Sequence, residues 1–153
     1  MSDTSLSPGA AIDFRRGRTN AASWVYQQPV LDGAGAPVLG LDGKPTYEPV
    51  DLTGAVVTFV MAPSLAEPAV VNVSSDTDPD QIEVTDAAGG EIALTLPPAA
   101  TALLDVPDGG RAQFPIYREF SFELVVLFAD DRLVTIRAGL IRLHDAIGLS
   151  ESG

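Results

Sequence analysis

Apolar and polar residues alternate along much of this chain with a period of two, the pattern of strands buried on one face. The last third shows it best. Glu119 to Phe128 puts Phe120, Phe122, Leu124, Val126 and Phe128 on one face, Asp130-Asp131 supplies a turn, and Leu133 to Leu143 returns with Val134, Ile136, Ala138 and Leu140 in phase. This predicts an antiparallel hairpin carrying most of the aromatic core. Gly139 is a candidate bulge, beyond which the phase would shift and turn Ile141 and Leu143 inward.

Earlier segments read the same way at shorter length. Ile12-Asp13-Phe14 precedes a strand over Thr19 to Gln28 in which Trp24 and Tyr26 share a face. Ala55 to Ala62 is β-branched with both faces apolar or neutral, as a strand in the middle of a sandwich requires. Ala69 to Val73 and Ile82 to Thr85 are short strands, and in Glu91 to Leu96 the residues Ile92, Leu94 and Leu96 face a core. Pro97-Pro98 stops that strand and suits the first turn of a helix over Ala99 to Leu104, because a missing N–H costs nothing there. From Pro29 to Pro49 the pattern breaks into PVLDGAGAPVLGLDGKPTYEP, with Leu-Asp-Gly at 31–33 and again at 41–43. Asp-Gly favours tight turns, so the segment reads as a protruding loop or ribbon with two of them.

The expected fold is therefore all-β: an immunoglobulin-like antiparallel β-sandwich over 12–145, with one short helix, an extended N-terminal arm over 1–11, the loop at 29–49 and a short tail over 146–153.

Composition narrows the chemistry. The 153 residues include no Cys and one His, which excludes disulfides, thiolate metal sites, thiol nucleophiles and any site needing two imidazoles. A net charge of −12 argues against a general nucleic-acid role, which draws on basic surface. No apolar run approaches the roughly 20 residues of a membrane helix, so membrane insertion is not expected.

Four groups of residues are candidates for function. Arg15, Arg16 and Arg18 hold a third of the nine basic residues within four positions; they read either as an anchor for an acidic surface of a partner or as a solvated basic loop. Trp24 and Tyr26 read as core, with a sugar-stacking platform as the alternative. Asp76, Asp78 and Asp80 have the alternate spacing that opens many calcium loops, yet Gln81 and Ala87 stand where an EF-hand has Gly and a bidentate Glu. An irregular calcium site or a solvated acidic turn both fit; otherwise no cofactor is expected. His144 is the one available base, and it reads as a surface residue at a strand end rather than part of a catalytic triad.

Several stretches, taken in order, carry a resemblance. They are Phe14-Arg15-Arg16-Gly17-Arg18-Thr19, Asp51-Leu52-Thr53-Gly54-Ala55 heading a strand, and Gly90 to Pro97 before the Ala-Thr-Ala segment. An aromatic strand and a final Gly-containing strand complete the order. Over Ile12 to Leu143 it resembles the immunoglobulin-like N-terminal domain of baseplate upper proteins of tailed bacteriophages. The resemblance implies a non-enzymatic virion structural protein of the tail or baseplate, assembled in the bacterial host cytoplasm. Its partners would be other virion proteins and copies of itself, with the three arginines and Tyr47 as interface candidates. The alternative expectation is a carbohydrate-binding or host-adhesion sandwich, calcium-dependent through Asp76 to Asp80.

Overall fold

A computed structural model describes residues 11–64, 66–104 and 117–144; the expected arm (apart from Ala11) and tail lie outside these. Among the described residues ten strands form: β1 Ile12–Arg15, β2 Asn20–Val25, β3 Gln27–Pro29, β4 Tyr47–Pro49, β5 Val56–Ala62, β6 Val71–Ser74, β7 Ile82–Asp86, β8 Glu91–Leu96, β9 Tyr117–Leu127 and β10 Leu133–His144; β2 and β5 to β10 fall where the alternation places them, and β1, β3 and β4 are additional.

Eight of them make two facing sheets. One has the order β1-β10-β9-β5-β6, the other β2-β8-β7, while β3 and β4 form a separate ribbon. With β2, β7 and β8 taken as B, D and E, and β5, β6, β9 and β10 as C, C′, F and G, this is the B–E–D against C′–C–F–G order of an immunoglobulin-like sandwich. All pairings are antiparallel except that of β1, which lies parallel to β10 with Ile12 opposite Ile141 and Arg15 opposite His144.

The core is where the alternation places it. Val57, Phe59 and Met61 of β5, Ile92, Leu94 and Leu96 of β8, and Phe120, Phe122, Leu124 and Val126 of β9 are buried between the sheets. At its centre three aromatic rings meet. Trp24 lies 6.3 Å from Phe59 and 6.2 Å from Phe122, and Phe59 lies 5.8 Å from Phe122. Trp24 is on β2 and Phe122 on β9, the two strands that antibody domains join by a disulfide. In a chain without Cys this aromatic contact ties the sheets by packing alone.

Two expectations need correction. The bulge is not at Gly139: register shifts between Thr135 and Arg137, so Ile136 is the last even-numbered residue buried and Ile141 and Leu143 take over. Ala138 and Leu140 consequently face outward. Gly139 has another reason to be glycine, since a Cβ there would stand 3.2 Å from Cε1 of Phe122, the ring that stacks on Phe59. The expected two-turn helix is only a 3₁₀ turn, Pro98–Ala100, followed by further turns to Leu104. Thr101 at its end is wholly buried and serves the neighbouring loop rather than a longer helix.

Candidate functional site

The strands bring two groups of loops to opposite ends of the sandwich. One end collects the β2–β5 connection, the β7–β8 turn and the β9–β10 turn. The other collects the β1–β2 turn, the β5–β6 turn, the segment after β8, the start of β9 and the end of β10.

The β2–β5 connection is the protruding ribbon, and its geometry is more regular than two Asp-Gly turns suggest. Pro29-Val30-Leu31, Pro37-Val38-Leu39 and Pro45-Thr46-Tyr47 recur every eight residues. The recurrence closes on itself: Leu31 pairs with Pro37, Leu39 with Pro45 and Tyr47 with Pro29. Inside this triangle the backbone N–H of Val30 donates to Thr46 O (2.9 Å), that of Thr46 to Val38 O (2.9 Å) and that of Val38 to Val30 O (2.8 Å). Each corner thus satisfies the next, which keeps a loop of about twenty residues ordered without a core of its own. Asp32 Oδ1 accepts from the N–H of Ala34 and of Ala36, and Asp42 Oδ1 from that of Lys44, fixing the two outer turns. Gly35 and Gly43 carry the positive φ these turns need.

The ribbon is bolted to the sandwich at its base. Tyr26 N donates to Gly90 O (2.8 Å), Val50 N to Tyr26 O (2.9 Å) and Leu52 N to Ala87 O (2.9 Å). Asp51 then turns the chain into β5, its Oδ1 accepting from the Thr53 hydroxyl (2.6 Å) and the Thr53 N–H (2.9 Å). These bonds favour the carboxylate and hold the Asp51 pKa below its ordinary value of 3.8, the hydroxyl contributing most. A depressed folded pKa adds stability that is present above 3.8 and is lost as pH falls through the folded value. A carboxyl ¹³C titration should therefore place Asp51 below 3.8, and Thr53→Ala should move it back up. An unchanged midpoint in that variant would contradict the assignment.

What the ribbon presents is apolar and acidic. Leu31 and Leu39 are more than half exposed and Leu41 is wholly so, beside Asp32, Asp42 and Glu48. Of the expected contact residues, Tyr47 is half-buried and closes the third corner. The same end carries Asp51, Asp86, Glu91, Asp130 and Asp131. That makes eight carboxylates within 27–51, 86–91 and 128–132, against Lys44 and Arg132. Arg132 is already engaged, with Nε 2.9 Å from Asp130 Oδ2 and its guanidinium 4.4 Å above the ring of Phe128.

The opposite end is built around Asn20, one of two buried polar residues among those described. Its Oδ1 accepts from Arg15 N (2.8 Å), and its Nδ2 donates to Arg15 O (2.9 Å) and Arg18 O (3.1 Å). The second, Thr101, accepts from Gly17 N (2.9 Å) through Oγ1, while Arg16 Nη1 donates to Leu104 O (3.3 Å). The three arginines are thus held on a fixed turn rather than a loose basic loop. Arg15 is exposed, and Arg16 and Arg18 are half-buried. The Arg18 Nε and Nη2 atoms are shut from solvent with no hydrogen-bond partner. Removing the Asn20 amide should strand three backbone groups; Asn20→Ala is expected to cost about 1–3 kcal/mol in urea unfolding. A loss below about 0.5 kcal/mol would mean that the turn does not depend on it.

His144 belongs to this end as well. Its Nε2 is 2.8 Å from Asp13 Oδ1, joining the last strand to the first, and the Tyr117 ring lies tilted against it at 5.3 Å with the Arg142 guanidinium over the tyrosine.

The remaining expected sites are not assembled. Trp24 is 9% exposed inside the aromatic cluster and offers no open ring face to a sugar; Tyr26 is half-buried at the ribbon base. Asp76 accepts from the Ser74 hydroxyl, and Asp78 from Ser74 N and the Thr77 hydroxyl, so these carboxylates shape their own turn. Among the described residues no group of three or more His, Asp or Glu is placed to hold a metal ion, so Asp76, Asp78 and Asp80 do not converge as a calcium site. No helix among those residues is long and apolar enough to cross a membrane. The eight-residue recurrence and the exposed leucines are the features that sequence reading missed. The repeated Pro-Val-Leu was the visible signal.

No protein-family model matches the chain, and no curated protein matches it. Among solved structures it is similar to murine CRIg, with 13% identity, a TM-score of 0.38, and coverage of 92% of this chain and 95% of that one.

Proposed function

We propose that this chain is a non-enzymatic structural component of a tailed-phage or prophage-derived particle, in its tail or baseplate, working through protein–protein contacts. The observation that carries the reading is the ribbon. It holds about twenty residues in a self-closed triangle, contributes no side chain from 31–45 to the core, and sets Leu31, Leu39 and Leu41 in solvent. Ordered backbone costs roughly 1–2 kcal/mol per residue in lost freedom, and a segment so ordered yet outside the core has its use in contacts beyond the fold. The fixed arginine turn at the other end offers planar donors suited to interfaces. The sequence order shared with the immunoglobulin-like domain of baseplate upper proteins points to the virion as the setting.

Replacing Leu31–Pro45 by a two-residue turn tests this. The shortened chain should unfold within about 1 kcal/mol of the full chain, because no core residue is lost. It should nevertheless fail to enter particles when it substitutes for the full chain during assembly. Normal incorporation of the shortened chain would remove the ribbon from the account.

A further inference from the structure

We infer that the chain self-associates head to tail, the leucine-bearing acidic end of one copy seating on the arginine end of the next. The inference rests on the assembly reading above and names the partner as a second copy of this chain.

Two complementary surfaces on one molecule carry it. The ribbon end sets eight carboxylates against Lys44 and Arg132, with Leu41 wholly exposed at an outer turn. The far end gathers Arg15, Arg16, Arg18, Arg118 and Arg142 in 13–20, 117–119 and 142–144, against Asp13, Glu119 and Glu67 of the β5–β6 turn. It too has an exposed leucine, Leu103 at 97%, next to the Leu104 carbonyl that Arg16 holds. An end rich in acids with an exposed leucine therefore meets an end rich in arginines with an exposed leucine, a charge complementarity that steers and registers protein association. The Arg18 guanidinium belongs to that corner, with Nε and Nη2 shut from solvent and without a hydrogen-bond partner. Because the two surfaces are different patches at opposite ends, the contact is heterologous and generates a ring or a filament rather than a closed dimer.

The test uses the full chain in sedimentation equilibrium. At 50 mM salt the mean mass should climb with concentration, and the association constant should fall at least about tenfold by 300 mM, as screened charge contacts do. Two charge-reversed chains sharpen it: Arg15→Glu with Arg18→Glu, and Asp32→Lys with Asp42→Lys. Each should be monomeric alone, and an equimolar mixture should associate again, because each supplies the end the other needs. A misfolded chain could not be rescued this way. Independently of any variant, Lys44 is the only lysine in the sequence and lies in the ribbon. Carbodiimide coupling of the unmodified chain should join Lys44 to Asp13 or Glu119 of another copy in tryptic peptides. A monomer at every salt and concentration, association indifferent to salt, or no such crosslink would overturn the inference. A monomeric chain still found in particles would leave the assembly reading intact with a different protein as partner.

Discussion

Replacing Phe59 by alanine should cost about 3–5 kcal/mol, the largest effect expected of a side-chain change in this chain. Phe59 is wholly buried in an inner strand of its sheet, with β6 on one side and β9 on the other. Its ring contacts both Trp24 across the sandwich and Phe122 beside it. Truncation removes the transfer energy of a whole ring and leaves a cavity that flanking strands, fixed by their ladders, cannot close. Domains of this size have roughly 5–15 kcal/mol in hand, and no disulfide here limits the unfolded chain, so the variant should be largely unfolded in mild denaturant. Urea titration followed by tryptophan fluorescence reads the change directly, since Trp24 is the single tryptophan and sits in the cluster. A cost below about 1.5 kcal/mol would show that the three rings do not hold the sheets together.

Gly90→Ala should be nearly as damaging, for a backbone reason. Gly90 has φ +67°, and a Cβ there would lie 2.5 Å from Tyr26 O and 3.0 Å from Val50 O. The left-handed conformation alone costs a non-glycine residue about 1–2 kcal/mol. The clash adds more, because those oxygens belong to the backbone that anchors the ribbon and cannot rotate away as a side chain could. A total near 3–4 kcal/mol is expected, together with loosened hydrogen exchange at Tyr26 and Val50. Gly43→Ala is the matched control. Its φ is +78° but nothing lies within 4 Å of the added carbon, so only the conformational part should remain, about 1 kcal/mol. Equal costs at the two positions would contradict the close approach at the ribbon base.

These two residues also mark how far the sequence could be read. The aromatic positions of β9 were legible, because period-two alternation over Tyr117–Leu127 requires an inward face. Phe59 was legible only as part of a strand with both faces apolar or neutral, and the opposing sheet decides which face packs on Trp24. The bulge near Ile136 was not. A bulge is set by the geometry of the paired strand, and Gly139, the local cue, proved to be making room for Phe122 instead. Trp24 could be read as core or as platform because period two assigns it a face without saying which face is covered; the second sheet decides that. In the ribbon, both Asp-Gly turns were visible locally, but the closure of Tyr47 on Pro29 spans eighteen positions and depends on three corners meeting at once. The repeated Pro-Val-Leu signals such closure only to a reader looking for period eight. The arginine turn was visible as composition, while its rigidity comes from Asn20 and from Thr101, a residue more than eighty positions away.

The central claim is that the chain works as part of an assembled particle. Particles purified by density gradient from the host that encodes it, washed in high salt and analysed by quantitative mass spectrometry, test that most directly. The account predicts peptides of this chain at a fixed multiple of the tail or baseplate proteins, retained through the wash. Absence of the chain from intact particles, or its removal by washing at variable and substoichiometric levels, would contradict it.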